Sequence, residues 1–218
     1  QADWADDVRA ALRSSPDMDR ALSRLALDRG GPRDLAAIRD GLAQARHITG
    51  LNAANFPDLV TENIGRMAGF AHILDALEET LVAEPPLLAR DGGFIAEGVD
   101  EALDEARKLR DEGRGVIAGY QADYAAETGV PSLKIKHNNV LGYFIETTAV
   151  HAEKMLSAPL SEKFIHRQTT ANAVRFTTLD LSEMETRILN AGARVIENEK
   201  GHFASLRSVI LDTYTKIS

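Results

Sequence analysis

Residues 133–146 read LKIKHNNVLGYFIE, and this stretch decides the fold. Leu133-Lys134-Ile135-Lys136 alternates apolar and charged side chains with period two, as a strand with one buried face does. Val140 to Ile145 is rich in aromatic and β-branched residues, which suit a pleated surface. Gly129-Val130-Pro131, just upstream, breaks any preceding helix. Phe164-Ile165 and Val174-Arg175-Phe176-Thr177-Thr178 look like further strand material. A β-rich unit of about fifty residues, 129–180, is therefore expected.

On both sides the period becomes helical. A long helix is predicted over 99–127, with Leu103, Ala106, Ile117, Tyr120 and Tyr124 facing inward. At 1.5 Å per residue it would reach roughly 43 Å, with a bend expected near Gly113, Gly115 and Gly119. A second helix is predicted from Leu181 to the C-terminus; its Met184, Ile188, Ala191 and Val195 are spaced 4, 3 and 4, as in a coiled-coil-like pair. Earlier in the chain, Ser15-Pro16 reads as a cap and first helical residue ahead of Met18, Leu22 and Leu25. Gly30-Gly31-Pro32 stops that helix, and Pro32 opens the next, carrying Leu35, Ile38 and Leu42. Phe70, Ile73, Leu74, Leu77 and Leu81 form a further apolar stripe, ended by Pro85-Pro86 and a loop over 84–98. The fold class is mainly α, with a small β-rich subdomain at the tip of long helical arms.

Length and composition are those of an ordinary globular chain: 218 residues, 44% hydrophobic and 27% charged, enough to bury a core in one or two domains. No run of 18 apolar residues occurs, so no membrane span and no membrane partner is expected. The N-terminal QADWADDVRAALR is acidic and amphipathic, unlike a signal peptide. There is no cysteine, which excludes disulfides and thiol chemistry and fits a cytoplasmic location. The net charge of −8 argues at first against nucleic acid. Its distribution argues otherwise. Residues 131–178 carry six cations (Lys134, Lys136, Lys154, Lys163, Arg167 and Arg175) against Glu146, Glu153 and Glu162, a net +3 that leaves −11 elsewhere. A basic segment on an acidic body suits a local DNA grip.

The run Leu133–Glu146 resembles the first clamp strand pair of the MutS family of DNA mismatch repair proteins. The run Phe164–Thr178 resembles the segment leading out of that clamp. Gly31-Pro32-Arg33-Asp34-Leu35 is similar to the "PRDL" helix start of the family's lever, and residues 90–98 to the loop before its long arm. The motifs occur in the family's order. The resemblance implies lever and core helices over 1–128, a β-rich clamp over 129–180 and a returning lever helix over 181–218. It further implies double-stranded DNA as partner, a homodimer and a MutL-type repair partner for the full-length protein, and ATP with Mg at a distant ATPase. Val174 stands where the family usually has an acidic residue, and Leu179 where it often has proline. The sequence contains no G-x-x-x-x-G-K-[ST] phosphate loop and no mismatch-reading Phe-x-Glu motif, and it ends within a helical pattern. It is read as an excised fragment that is not itself an enzyme and carries no cofactor.

A sequence-blind grip needs cations and amide or hydroxyl donors aimed at phosphate oxygens. The first run offers Lys134, Lys136, His137, Asn138 and Asn139; the second offers His166, Arg167, Gln168, Thr169, Thr170, Asn172 and Arg175. Alternation places Lys134 and Lys136 on one face, with Leu133 and Ile135 in the core. Each has a plainer reading. The two lysines could merely guard an edge strand against aggregation. Gln168, Thr169 and Asn172 could satisfy loop backbone, and Arg175 could be held by Glu146 across strands. Tyr143 and Phe144 read as core rather than as base-stacking surface, and Gly142 as a turn or close approach. Catalytic patterns fail one by one. His151-Ala152-Glu153 lacks the cysteine half of a zinc deaminase site, and Gly113-Arg114-Gly115 with Gly119 lacks the strand a dinucleotide loop needs. No zinc-protease or G-x-S-x-G motif occurs. The rival functional reading is a helical scaffold for protein partners without DNA binding.

Overall fold

The computed structural model describes residues 3–51 and 56–214, which divide into two compact units: residues 1–101 with 196–218, and residues 102–195.

In the first unit, α1 (Asp3–Ser14), α2 (Met18–Ala26), α3 (Pro32–Thr49), α4 (Asp58–Met67) and α5 (Ala71–Thr80) precede a long connection. The start of α2 differs from expectation: Asp17, not Ser15, is its cap, and its carboxylate accepts a hydrogen bond from Arg20 N–H at 2.9 Å. A carboxylate at that end also meets the helix dipole favourably, which a serine hydroxyl does not. Pro32 does open α3. Asp34 reaches back to accept from Gly31 N–H at 2.7 Å and is held by Arg24 at 3.1 Å, while Leu35 is fully buried. α2 packs on α3 and α3 on α5, burying Leu25, Ile38, Ile73, Leu74 and Leu77.

The end of α5 is also earlier than Pro85-Pro86. The helix stops at Thr80, because Leu81 leaves it to bridge Ile95. Arg39 fastens the next residues by donating to Val82 O and Ala83 O, both at 2.8 Å. The connection is thus not a plain loop, and it carries a 3-10 turn at Ala89–Asp91.

α9 (Leu179–Tyr214) contributes its residues from 196 onward to this unit. Glu199 is buried and accepts from Gly93 N–H at 2.7 Å, and Phe203 meets Phe94 edge-on at 6.4 Å. Arg207 donates to Leu25 O at 2.7 Å, and His202 contacts Asp100 at 2.9 Å. The part of the expected C-terminal helix that would cover 215–218 lies outside the described residues.

The second unit holds most of α6 (Glu101–Thr128), a four-stranded antiparallel sheet, two short helices and the first part of α9. The helix of α6 runs unbroken through Gly113, Gly115 and Gly119. Gly113 has a packing reason: a methyl there would lie 2.6 Å from Ile188 Cγ1 of α9. Ile188, Ala191 and Val195 are buried, as their spacing predicts.

The strands are β1 (Lys134–Asn138), β2 (Gly142–Thr147), β3 (Ile165–Thr169) and β4 (Val174–Thr177), in spatial order β1-β2-β4-β3. Val140 and Leu141 fall in the β1–β2 turn rather than in a strand, with Val140 almost fully exposed. Between β2 and β3 the chain forms α7 (Ala149–Met155) and α8 (Leu160–Lys163), which the strand pattern does not reveal. Ala152, Met155 and Phe164 join Ile145, Val174 and Phe176 of the sheet, Ile117 and Tyr124 of α6, and Leu181 and Ile188 of α9 in one core. No helix among the described residues is long and apolar enough to cross a membrane.

Replacing Gly113 by Val would force α6 away from Ile188. Overpacking of this kind typically costs about 1–3 kcal/mol. Urea unfolding of G113V is expected to show a lower midpoint with an unchanged slope; an unaltered midpoint would mean that the two helices do not meet at this position.

Candidate nucleic-acid interface

The register of the sheet sorts its side chains. Ile145 lies opposite both Ile135 and Phe176, and Thr147 opposite Val174, so these share the inner face over the core. On the outer face, Lys134, Glu146, Arg175 and Gln168 are successive partners across all four strands and form one row. Lys136 and Phe144 form the next row.

Arg167 completes the set through an irregularity. His166 pairs with Phe176 but Gln168 pairs with Arg175, so Arg167 is the extra residue of a β-bulge. Alternation from Ile165 and His166 turns Arg167 outward, and the bulge keeps Gln168 outward as well. Every lysine, arginine and carboxylate of the four strands is therefore on one face: Lys134, Lys136, Arg167 and Arg175 against Glu146, a net +3.

Glu146 occupies the centre. Its two oxygens accept from Lys136 Nζ at 2.6 Å and Arg175 Nε at 3.0 Å. The Arg175 guanidinium also donates to Gln168 Oε1 at 2.8 Å and lies 4.6 Å from the centroid of the Phe144 ring. Phe144 is buried beneath it, on the face opposite Ile145 and apart from the core cluster, against which Tyr143 packs. The Lys136 hydrogen bond, opposed by partial burial and reinforced by Arg175, holds the Glu146 carboxyl below its ordinary range. Lys134, although directly opposite Glu146 in register, has no side-chain hydrogen bond or ion pair among the described residues, and neither has exposed Arg167.

The remaining candidates do not gather on this row. Asn138 accepts from Val140 N–H at 2.9 Å and Leu141 N–H at 2.7 Å, closing the β1–β2 turn with exposed Asn139 at its crest. His137 stacks edge-on against Tyr143 at 4.8 Å, on the inner-face side. Thr169 Oγ1 is 2.8 Å from His166 Nε2. Thr170 closes the β3–β4 turn through Ala173, accepting from its N–H at 3.2 Å and donating to its O at 3.1 Å. Asn172, in that turn, is exposed.

The two turns lie at opposite ends of the sheet, because Asn138 pairs with Gly142 whereas Thr169 and Thr147 both pair with Val174. Asn138 and Asn139 are thus about 13 Å along the strand from the Lys134 row, which sits beside the Thr170–Asn172 turn. The donors offered by the two runs thus form a charged row with a turn at either end. The physical reason is the strand order: β4, not β3, pairs with β2, so β3 runs in the same direction as β2 after the α7–α8 connection, and its turn into β4 falls at the end away from the β1–β2 turn.

Glu185 on α9 is not among the residues that sequence reasoning finds, and no local pattern marks it. Its carboxylate accepts from Tyr143 N–H at 3.1 Å and fills the space where a Cβ on Gly142 would stand. Gly142 has φ of +70°, so it is required both for the turn and for this close approach. Elsewhere in the unit, Lys163 bonds Glu127 at 2.6 Å, which raises the Lys163 pKa, and Tyr124 meets Thr178 at 2.8 Å. No cluster of His, Asp or Glu able to hold a metal ion occurs among the described residues.

Comparison with known proteins gives a consistent result. Residues 98–194 match the family model described as MutS family domain IV. The chain is 67% identical over 207 residues, 95% of its length, to a DNA mismatch repair protein MutS of Cereibacter sphaeroides. It is 65% identical over 214 residues to the protein of the same name from Dinoroseobacter shibae, and 64% identical over 215 residues to that of Ruegeria pomeroyi, 98% of the chain in each case. It spans about a quarter, 24%, of the length of these curated relatives.

The geometry at Glu146 sets a pH dependence. Folding lowers the pKa of this carboxyl, so its ion pairs contribute fully above the unfolded value near 4.5 and are lost as pH falls through the lower folded value. Unfolding curves measured between pH 6 and 3 on the wild type and on Glu146→Gln should diverge least at the acid end. A constant difference between them across that range would show that the pairs add nothing.

Proposed function

The chain belongs to the MutS family, and from that premise we propose that its small sheet grips the backbone of duplex DNA, without reading sequence, in DNA mismatch repair. The observation that carries this reading is the segregation of charge: a net +3 on one sheet face of a chain whose total is −8. Lysine and arginine heads offer point charges and forked donors to phosphate oxygens, which every sequence presents alike. Base reading finds no support on this face. Phe144 is buried under Arg175, and Tyr143 belongs to the opposite face, so no exposed ring stands ready for stacking.

In this proposal Lys134 and Arg167 are the primary phosphate contacts, Lys136 and Arg175 the secondary ones, and Asn139, Thr170 and Asn172 lie at the turns as additional polar contacts. Asn138, Gln168, Thr169 and His137 hold the framework. The same reading, extended to a longer polypeptide of the relatives' kind, assigns the helices to transmitting the state of the DNA to an ATPase. It also gives that protein a homodimeric state, a MutL-type partner and a cytoplasmic location. ATP and Mg are assigned outside these residues: the sequence has no phosphate-loop motif, and no step of nucleotide chemistry is derived from them. The rival scaffold reading draws on a groove of about 500 Å³ along α6 and α9, lined by Leu109, Val116, Met184 and Ala191.

Fluorescence anisotropy with labelled homoduplex and mismatched duplex, titrated across salt, tests the proposal. Binding should be weak, with Kd of about 10⁻⁴ M or weaker at moderate salt, and indifferent to the mismatch. The logarithm of affinity should fall about 0.9 per phosphate contact against the logarithm of salt. The double reversal Lys134→Glu, Arg167→Glu should abolish binding here and weaken it in the full-length protein. Unchanged DNA affinity of that variant in both settings would favour the scaffold.

A further inference from the structure

We propose that Glu146 is a built-in governor of the grip, which holds two of the four outward cations in reserve; this rests on the DNA-backbone reading above. The observation is an asymmetry in which cations it engages. Lys134 stands directly opposite Glu146 in the register, yet the carboxylate takes Lys136 from the neighbouring row and Arg175 from the next strand. Each of its oxygens serves one cation, at 2.6 and 3.0 Å. Glu146 is the more enclosed member of both pairs, with its side chain only 16% exposed against 54% for Lys136 and 23% for Arg175.

Two classes of cation follow. Lys134 and Arg167 meet phosphate at no cost beyond their own ordering. Lys136 and Arg175 must first exchange a carboxylate for a phosphate, giving up one charge-assisted bond as they make another. The exchange returns little net free energy, so the face binds as though it had fewer cations than it displays. Arg175 is restrained further by its hydrogen bond to Gln168 and its place over the Phe144 ring. A grip weakened in this way releases readily. Glu146 is thus a positioning residue that sets affinity without touching DNA.

The test is DNA affinity against salt for the wild type, Glu146→Gln, Lys136→Gln and the double variant, each as this full chain and in the full-length protein, with circular dichroism confirming the fold. Glu146→Gln keeps the shape and removes the charge. It should bind at least about threefold tighter at ~50 mM salt, with a log–log slope steeper by roughly 0.9 for each additional phosphate engaged. That advantage should shrink about three- to fourfold per added phosphate by ~200 mM, as the slope requires. Lys136→Gln should cost less than about twofold in the wild type and clearly more beside Glu146→Gln, the signature of a cation released by the first change.

If Glu146→Gln binds no tighter while Lys134→Glu, Arg167→Glu still weakens binding, the governor is overturned and the DNA reading survives. If neither affects binding, the DNA reading itself has failed. Should Glu146→Gln not fold, Lys134→Gln against Lys136→Gln decides: the proposal requires the loss at Lys134 to be the larger, and equal losses sink it.

Discussion

Ile145 and Phe176 face one another on adjacent strands, both fully buried, and this contact fixes the register on which the rest of the second unit depends. A slip of one residue would turn Ile145 outward and bring Glu146 against Phe164 and Met155. The cost of burying that carboxylate without its cations excludes the alternative. Once Ile145 is inward, Lys134, Lys136, Glu146 and Arg175 have no freedom left: the pleat sends them all to the other side. The charged face is a consequence of the core, and no separate device is needed to assemble it.

The strands and long helices are legible because their periods are strong and local. Leu133 and Ile135 alternate with lysines, and Ile188, Ala191 and Val195 are buried at helical spacing. What stays hidden depends on pairing between distant residues. The bulge that turns both Arg167 and Gln168 outward exists only relative to β4, and nothing in His166-Arg167-Gln168 announces it. The placing of Asn138 and Thr170 at opposite ends of the sheet likewise follows from pairing, not from composition. α7 and α8 leave no trace in the pattern because seven and four residues are too few to show a helical period. At Pro16 a familiar dipeptide outweighs the better cap one residue later, Asp17.

Charge balance acts at two scales. Over the chain the net charge is −8; over the outer face of the sheet it is +3. The inversion needs only five charged side chains on four strands. Glu146 shows how finely it is set, since one carboxylate answers two cations and leaves Lys134 and Arg167 unengaged.

The closure of the first unit by α9 governs the order in which the molecule can be built. Glu199 meets Gly93 across 106 residues of chain and Arg207 meets Leu25 across 182, whereas residues 102–195 form a unit whose parts are contiguous in sequence. Synthesis runs from the N-terminus, so the middle of the chain is complete while the first unit still lacks Leu206 and Ile210. Residues 102–195 can therefore close their contacts before Leu206 and Ile210 of α9 exist to complete the first unit.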